Sequence, residues 1–232
     1  MGCCLGFLDD QPWEHYVHSG TQRSLGGETR KYESLEDFLS RESPPTKKKY
    51  YPSDPPLAVE SLMLDRCILA LALASAVSHL HNTPWLSGSW GAKDVYFIEG
   101  GERTRVGWPY VSKSFATTSL SKKSPPMAID ETVFALGVVL IELSYGKPIL
   151  SHQTAGDLDH KGNVTSYTKG LIASRLLDEI DEREAANYAN AVRWCITGNF
   201  DPLSFSLDNK EFRESFYEGV IQPLQLNYKS VM

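Results

Sequence analysis

The sequence predicts an α+β fold that is mainly helical and has a small β part near its beginning. Two long apolar segments, residues 57–81 and 130–145, repeat apolar side chains every three to four residues, which is typical of buried helices. Short segments at residues 3–8 and 14–18 predict two strands joined by a polar turn. With 232 residues, of which 41% are hydrophobic, the chain is long enough to form one large domain.

Local signals predict the elements between these segments. Ser34 stands three residues before Asp37, an N-cap pattern for a short helix over "SLEDFLS". Residues 43–56 contain five of the 13 prolines and predict a loop or linker. The segment "DVYFI", residues 94–98, predicts a strand, with residues 104–108 as its hairpin partner.

The remainder of the chain reads as helical. Asp130 is the expected N-cap of the second long helix, which ends at Gly146 and Pro148. Three further helices are predicted at residues 166–179, 182–197 and 208–222.

Charge and cysteine usage argue against several classes of protein. The net charge of −6 argues against nucleic-acid binding, and the basic runs 47–49 and 122–123 lie beside prolines and serines, as in solvated loops. Cys67 and Cys195 lie in apolar helical patterns and no CxxC pair exists, which predicts reduced thiols. We therefore expect an intracellular, cytoplasmic protein that does not bind nucleic acid.

No segment predicts membrane attachment. The longest apolar stretch, residues 67–77, is shorter than the roughly twenty residues that span a bilayer. The start "MGCC" suggests acylation at Gly2, Cys3 and Cys4, but the acylation pattern has Ser or Thr where Gly6 stands. We expect neither a membrane span nor lipidation.

The histidines and glycines do not form a known catalytic or cofactor motif. His79 and His81 are two residues apart on a helix and point to different faces, as a zinc pair would not. The sequence contains no Gly-x-Ser-x-Gly elbow, no GxGxxG loop and no Walker loop. We therefore expect no metal and no cofactor.

The order of elements resembles the carboxy-terminal lobe of a protein kinase. "CLGFLDDQPWEHYVHS" is similar to the last small-lobe strands and the hinge, and "YESLEDFL" to the helix after the hinge. "LASAVSHLH" resembles the helix before the catalytic loop, and "LGVVLIELSYGKP" the central helix after the activation segment. The resemblance implies one kinase-like domain over residues 1–232, with residues 1–30 a partial small-lobe and hinge remnant and residues 57–232 the helical core.

A narrower resemblance is to an uncharacterised fungal domain family. It is carried by "LALASAVSHLHNTPWLSGSWGAKDVYF", "LGVVLIELSYGKPIL" and "YANAVRWCITGNFDPLSFSLDNKEFRESFYEGVIQPL". Members of that family often carry a separate helical domain of the prion-inhibition, heterokaryon-incompatibility type. The resemblance implies a cytosolic fungal protein linked to self/non-self recognition, and it implies no activity.

The kinase catalytic residues do not carry over to this chain. Aligning Asp94 with the asparagine of the kinase catalytic loop places Ser89 at the catalytic aspartate. The aspartate of the central helix, five residues before Gly137, is replaced by Thr132, and no aspartate stands near residues 107–109. The Gly-rich loop and the strand lysine of a kinase would lie before the first residue. Ser89 and Asp94 therefore mark a degenerate catalytic loop, as in a pseudokinase.

Structural roles are expected for the remaining positions of interest. Trp85 and Trp90 are expected to anchor the loop by burial, each with its indole N–H bonded to an acceptor. Asp94 is expected to cap local backbone amides. Thr132 and Gly137 are expected to be structural positions of the central helix.

These observations predict a non-catalytic interaction or regulatory module with an unidentified protein partner. Two alternatives stay open: a divergent phosphotransferase that uses Asp94, and a fragment of a longer protein that lacks an amino-terminal partner domain. Carboxylates brought together near residues 85–110 would favour the phosphotransferase.

Overall fold

The computed structural model divides the chain into two units, residues 1–31 and residues 32–232. It describes the residues in the following ranges: 4–10, 13–18, 32–40, 57–81, 83, 85–86, 88–98, 109–111, 130–198, 207 and 209–232. The predicted loop at 43–56 and the predicted hairpin strand at 104–108 lie outside these ranges. The first strand of the predicted hairpin, near residues 94–98, lies inside them.

The first unit contains a two-stranded antiparallel ribbon. Strand β1, Cys4–Asp10, pairs with strand β2, Trp13–His18, and Phe7 lies opposite Tyr16. The register shifts between Cys4 and Gly6. Both predicted strands are therefore present, each slightly longer than the pattern indicated.

A small sheet opens the second unit. Strand β4, Val95–Ile98, lies between strand β3, Tyr32–Ser34, and strand β5, Tyr110–Val111, and both pairings are antiparallel. Helix α1, Leu35–Ser40, follows β3 directly. The hydroxyl of Ser34 accepts a hydrogen bond from the Asp37 N–H at 3.0 Å, which confirms the predicted cap.

Helices make up most of the second unit, so the predicted mainly helical α+β class is confirmed. The α-helices after α1 are α2 (Leu57–Leu80), α3 (Glu131–Tyr145), α4 (Thr168–Leu177), α5 (Ile180–Arg183), α6 (Ala186–Thr197), α7 (Lys210–Phe216) and α8 (Gln222–Val231). Short 3₁₀ turns lie at Ala92–Asp94, Ile149–His152 and Ala155–Asp157, and a π-helical turn, Tyr217–Ile221, joins α7 to α8.

Two of the predicted helices have different boundaries in the structure. The helix predicted at 182–197 is divided into α5 and α6, because Glu184 and Ala185 adopt extended backbone. The helix predicted to end at 222 continues to Val231. Pro223 does not end it, since proline is tolerated in the first turn of a helix such as α8.

The core forms where α2, α3, α6 and α8 contact one another. Helix α3 is buried on nearly all sides, as its apolar sequence predicts. It lies close to α6 at Gly137, where an added Cβ would be 2.8 Å from the Cβ of Cys195. Gly137 therefore permits a helix contact that a larger residue would obstruct.

Polar side chains form hydrogen bonds between the helices at one end of this core. Arg66 of α2 donates to Glu184 at 3.0 Å, and the Ser144 hydroxyl of α3 donates to the same carboxylate at 2.7 Å. Cys67 and Cys195 are buried free thiols, and burial raises the pKa of both. None of the described helices combines the length and apolarity needed to cross a bilayer.

Candidate functional site

Asp130 links the segment after α2 to the start of α3 by hydrogen bonds. One carboxylate oxygen of Asp130 accepts from the N–H groups of Thr132 and Val133, at 2.8 and 3.2 Å, so the predicted N-cap is confirmed. The other oxygen lies 2.9 Å from Nε2 of His81. Both side chains of the pair are less than a tenth exposed, whereas His79 is exposed.

Trp90 makes the second connection between this loop and α3. Its side chain is 6% exposed, and its indole N–H donates to the carbonyl oxygen of Thr132 at 3.0 Å. Thr132 is itself buried. Two positions singled out in the sequence are thus in direct contact.

The expectation that Trp85 is a buried anchor is wrong. Its side chain is 46% exposed, while the next residue, Leu86, is 8% exposed and occupies the core position. The Thr83 hydroxyl accepts from the Trp85 N–H at 3.3 Å, and the Thr83 carbonyl accepts from the Leu86 N–H at the same distance. This tight turn places Leu86, not Trp85, toward the interior.

Asp94 closes a turn of its own loop. Its Oδ2 accepts from the Gly91 N–H at 3.0 Å, and the Gly91 carbonyl accepts from the Asp94 N–H at 2.9 Å. The predicted capping of local amides is therefore present. Ser89, which the kinase resemblance led us to expect in place of the catalytic aspartate, is exposed.

A cavity of about 250 Å³ lies between this loop, α3 and the start of α4. Phe134, Ala135 and Val138 of α3 supply apolar walls. Ser89 and Trp90 line it, whereas Asp94, Thr132, Gly137 and Trp85 do not. The other lining residues are Glu36, Gly88, Gly91, Ala92, Lys93, Glu131, Glu142, Ser166, Tyr167 and Lys169.

Glu142 is the buried charge of this cavity. It is 6% exposed, and its Oε1 accepts from the Ile149 N–H at 2.9 Å. Burial raises its pKa to about 6, while the Ile149 N–H and Lys169 act in the opposite direction and Glu36 adds to the rise. In the part of the chain that the structure describes, the Glu142 carboxylate has no second hydrogen bond and no ion pair.

Sequence reasoning missed Glu142, although a signal was present. It is the one charged residue between Thr132 and Tyr145, in the otherwise uncharged run "TVFALGVVLIELSY". A charged residue inside a helix that is apolar on all sides must be buried, and buried charges are uncommon without a partner. Topology then decides whether such a residue faces another helix or a cavity.

The described residues do not bring together a metal-binding cluster. Among the residues that the structure describes, no group of three or more His, Cys, Asp or Glu side chains is placed to hold a metal ion. Asp94, proposed as the metal ligand of a divergent phosphotransferase, contacts Gly91 instead. Of the three glutamates that line the cavity, Glu36 lies on α1, and Glu131 and Glu142 lie near opposite ends of α3.

Comparison with known proteins identifies a family and no characterised relative. Residues 6–231 match DUF7580, which is described as a domain of unknown function. No curated protein and no solved structure matches the chain.

Proposed function

The chain belongs to the DUF7580 family, and we propose that it is a non-catalytic, kinase-like interaction or regulatory module of the cytoplasm. The observation that carries this proposal is the hydrogen bond from the Gly91 N–H to Asp94, at 3.0 Å. It assigns a structural task to the carboxylate that a phosphotransferase would use to bind Mg²⁺.

Phosphoryl transfer depends on carboxylates that are free to bind metal and to orient the attacking hydroxyl. A metal that used both oxygens of Asp94 would compete with the cap on Gly91 and would weaken the turn that precedes β4. Ser89 offers a hydroxyl where a kinase has its aspartate, and a hydroxyl is not a comparable base without a partner. These two features support a loop that resembles a kinase catalytic loop in its position and lacks the side chains for phosphoryl transfer.

The kinase-like part of the proposal depends on the order of elements. A long buried helix, α2, leads into the loop that holds Trp90 and Asp94, strand β4 follows, and the apolar helix α3 comes after it. Kinase large lobes have this order. A fold and its chemistry are separable, so the order supports the architecture and says nothing about activity.

Exposed apolar side chains support a role in binding. Tyr167 and Leu171, near the cavity, are 62% and 50% exposed, and Trp85 is 46% exposed. Aromatic residues are enriched where proteins bind one another, because they contribute a large contact area at a small entropic cost. The sequence resemblance to a fungal family extends the proposal to self/non-self recognition, with another protein as the partner.

A thermal-shift measurement with Mg-ATP tests the absence of catalysis. We expect no change in melting temperature, whereas a ligand at a hundredfold excess over its Kd would stabilise the fold by about 2.7 kcal/mol. Asp94→Asn is the matched variant, because asparagine keeps an acceptor for the Gly91 N–H and loses the charge that binds metal. A clear upward shift in the native protein, absent in Asp94→Asn, would overturn the proposal.

A further inference from the structure

We propose that the cavity between the 88–93 loop, α3 and α4 binds a lysine or arginine side chain of a protein partner, with Glu142 as its counter-ion. This inference rests on the proposed function and specifies which chemistry the partner presents. Three features support it: the state of Glu142, the walls of the cavity and the surface around its mouth.

Glu142 is a nearly buried acid with one of its two oxygens unused. Oε1 accepts from the Ile149 N–H at 2.9 Å, and within the described ranges Oε2 has no hydrogen-bond partner. The residue is 6% exposed and lines the cavity. The residue that carries the open oxygen therefore borders the space where a donor can enter.

A carboxylate in this position weakens the fold unless something binds it. Transfer of a charge out of water is costly without a partner, and the raised pKa of Glu142 expresses that cost. An apolar or amide side chain would suit the surrounding helix better. A buried acid of this kind is typical of positions where stability is given up for binding.

The other charges of the cavity cancel, so an ionised Glu142 leaves the lining with a net charge of about −1, which favours a cation. Glu36 and Glu131 add negative charge near Glu142, and Lys93 and Lys169 add positive charge. Lys169 lowers the pKa of Glu142 through space, but the two side chains do not form an ion pair within 4.0 Å. Lys169 is thus a competitor for the same carboxylate rather than its fixed partner.

The size and walls of the cavity suit one long basic side chain. Its volume, about 250 Å³, is below the range of roughly 300–1,000 Å³ that is usual for small-molecule sites. Phe134, Ala135 and Val138 present apolar surface on the way to Glu142. The methylene groups of lysine or arginine pack on such surface while the charged end reaches the acid.

The surface at the mouth favours a protein over a small amine. Tyr167 lines the cavity and is 62% exposed, and Leu171, one helical turn further along, is 50% exposed. The Leu171 N–H donates to the Tyr167 carbonyl at 3.0 Å, so the two residues stand on one face of α4. A charged pocket beside exposed apolar residues is the arrangement of an interface anchor.

The test uses a phage-displayed library of random peptides, selected in parallel on three forms of the full chain at about 0.15 M salt, where long-range attraction is screened. The forms are the native protein, Glu142→Gln and Glu182→Gln. Glutamine at 142 keeps the acceptor for Ile149. Glu182 is exposed and does not line the cavity, so Glu182→Gln removes the same charge elsewhere.

We expect peptides with a lysine or arginine at one fixed position to be enriched on the native protein and on Glu182→Gln, and not on Glu142→Gln. In a selected peptide, replacing that basic residue by glutamine should weaken binding to the native protein at least tenfold, on the order found when one partner of a buried charge pair is removed. The same replacement should change binding to Glu142→Gln little. Lys169→Met should leave the affinity unchanged or raise it.

Three results would overturn this inference. The first is a selection without a fixed basic position, and the second is equal enrichment on the native protein and Glu142→Gln. The third is binding of agmatine alone as tightly as the selected peptide, which would indicate a small amine as the ligand. None of these affects the proposed absence of catalysis, which fails only if Mg-ATP stabilises the protein through Asp94.

Discussion

The indole N–H of Trp90 donates to the carbonyl oxygen of Thr132 at 3.0 Å, and this contact ties the loop after α2 to the first turn of α3. Trp90 is 6% exposed, so both the hydrogen bond and the ring lie in the interior. Burial of Trp90 and its hydrogen bond therefore help to hold this loop against α3.

Replacing Trp90 should destabilise the protein strongly. Trp90→Ala removes a buried ring and leaves a cavity, which typically costs about 3–5 kcal/mol. The matched control is Trp85→Ala in the same loop, where a side chain that is 46% exposed should cost about 1 kcal/mol or less. Urea denaturation of the two variants measures the difference. Equal losses of stability would contradict the assignment of Trp90 as the buried tryptophan.

Replacing Glu142 should stabilise the protein in a pH-dependent way. The folded-state pKa of Glu142, about 6, is above its ordinary value of 4.5, so the folded protein binds more protons and loses stability as the pH rises between these values. A shift of this size corresponds to about 2 kcal/mol above pH 6. Glu142→Gln removes the penalty and should exceed the native protein in stability by about that amount at neutral pH.

The measurement for Glu142 is the difference in unfolding free energy between native protein and variant across the acid range. The difference should be near zero below about pH 4, where the carboxyl is protonated in both states, and should become constant above about pH 7. Other groups that titrate contribute equally to both proteins and cancel. A difference independent of pH would contradict the raised pKa.

The π-helical turn before α8 should not accept a side chain at Gly219. A Cβ at this position would overlap the indole ring of Trp194, which also contacts Phe212 and Phe216 with ring centroids 5.7 and 5.5 Å apart. Gly219→Ala should therefore destabilise the fold by about 1–3 kcal/mol, as overpacked cores do.

The matched control for Gly219 is Gly156→Ala. A Cβ at Gly156 would meet only the Thr154 hydroxyl, at 3.9 Å, and its backbone is not in the left-handed region. This variant should be close to the native protein in melting temperature. A loss of stability in Gly156→Ala as large as that in Gly219→Ala would show a general effect of losing glycine instead of a clash with Trp194.

Amide hydrogen exchange should distinguish the ribbon from the helical core. Each strand of a two-stranded ribbon is hydrogen-bonded along one side, and such a ribbon is only marginally stable. The backbone amides of residues 4–18 should therefore exchange early. Residues 133–143, in the almost wholly buried helix α3, should exchange last. Equal protection in the two segments would contradict this prediction.

The sequence by itself determined where most of the helices lie but not all of their ends, because periodic apolar residues and caps act locally. The caps at Ser34 and Asp130, the buried helix α3 and the two strands of the ribbon all follow from neighbouring residues in the chain. The burial of Trp90 was also predicted, although the same reasoning wrongly assigned burial to Trp85.

Only the tertiary structure decided which of two adjacent residues is buried, and that a buried acid lines a cavity. Trp85 and Leu86 are both apolar, and the turn at Thr83 gives the interior position to Leu86. Glu142 belongs to a helix that is apolar all round, and the placement of α4 and the 88–93 loop determines that this residue lines a cavity. Contacts between residues distant in sequence set these outcomes, and local patterns do not encode them.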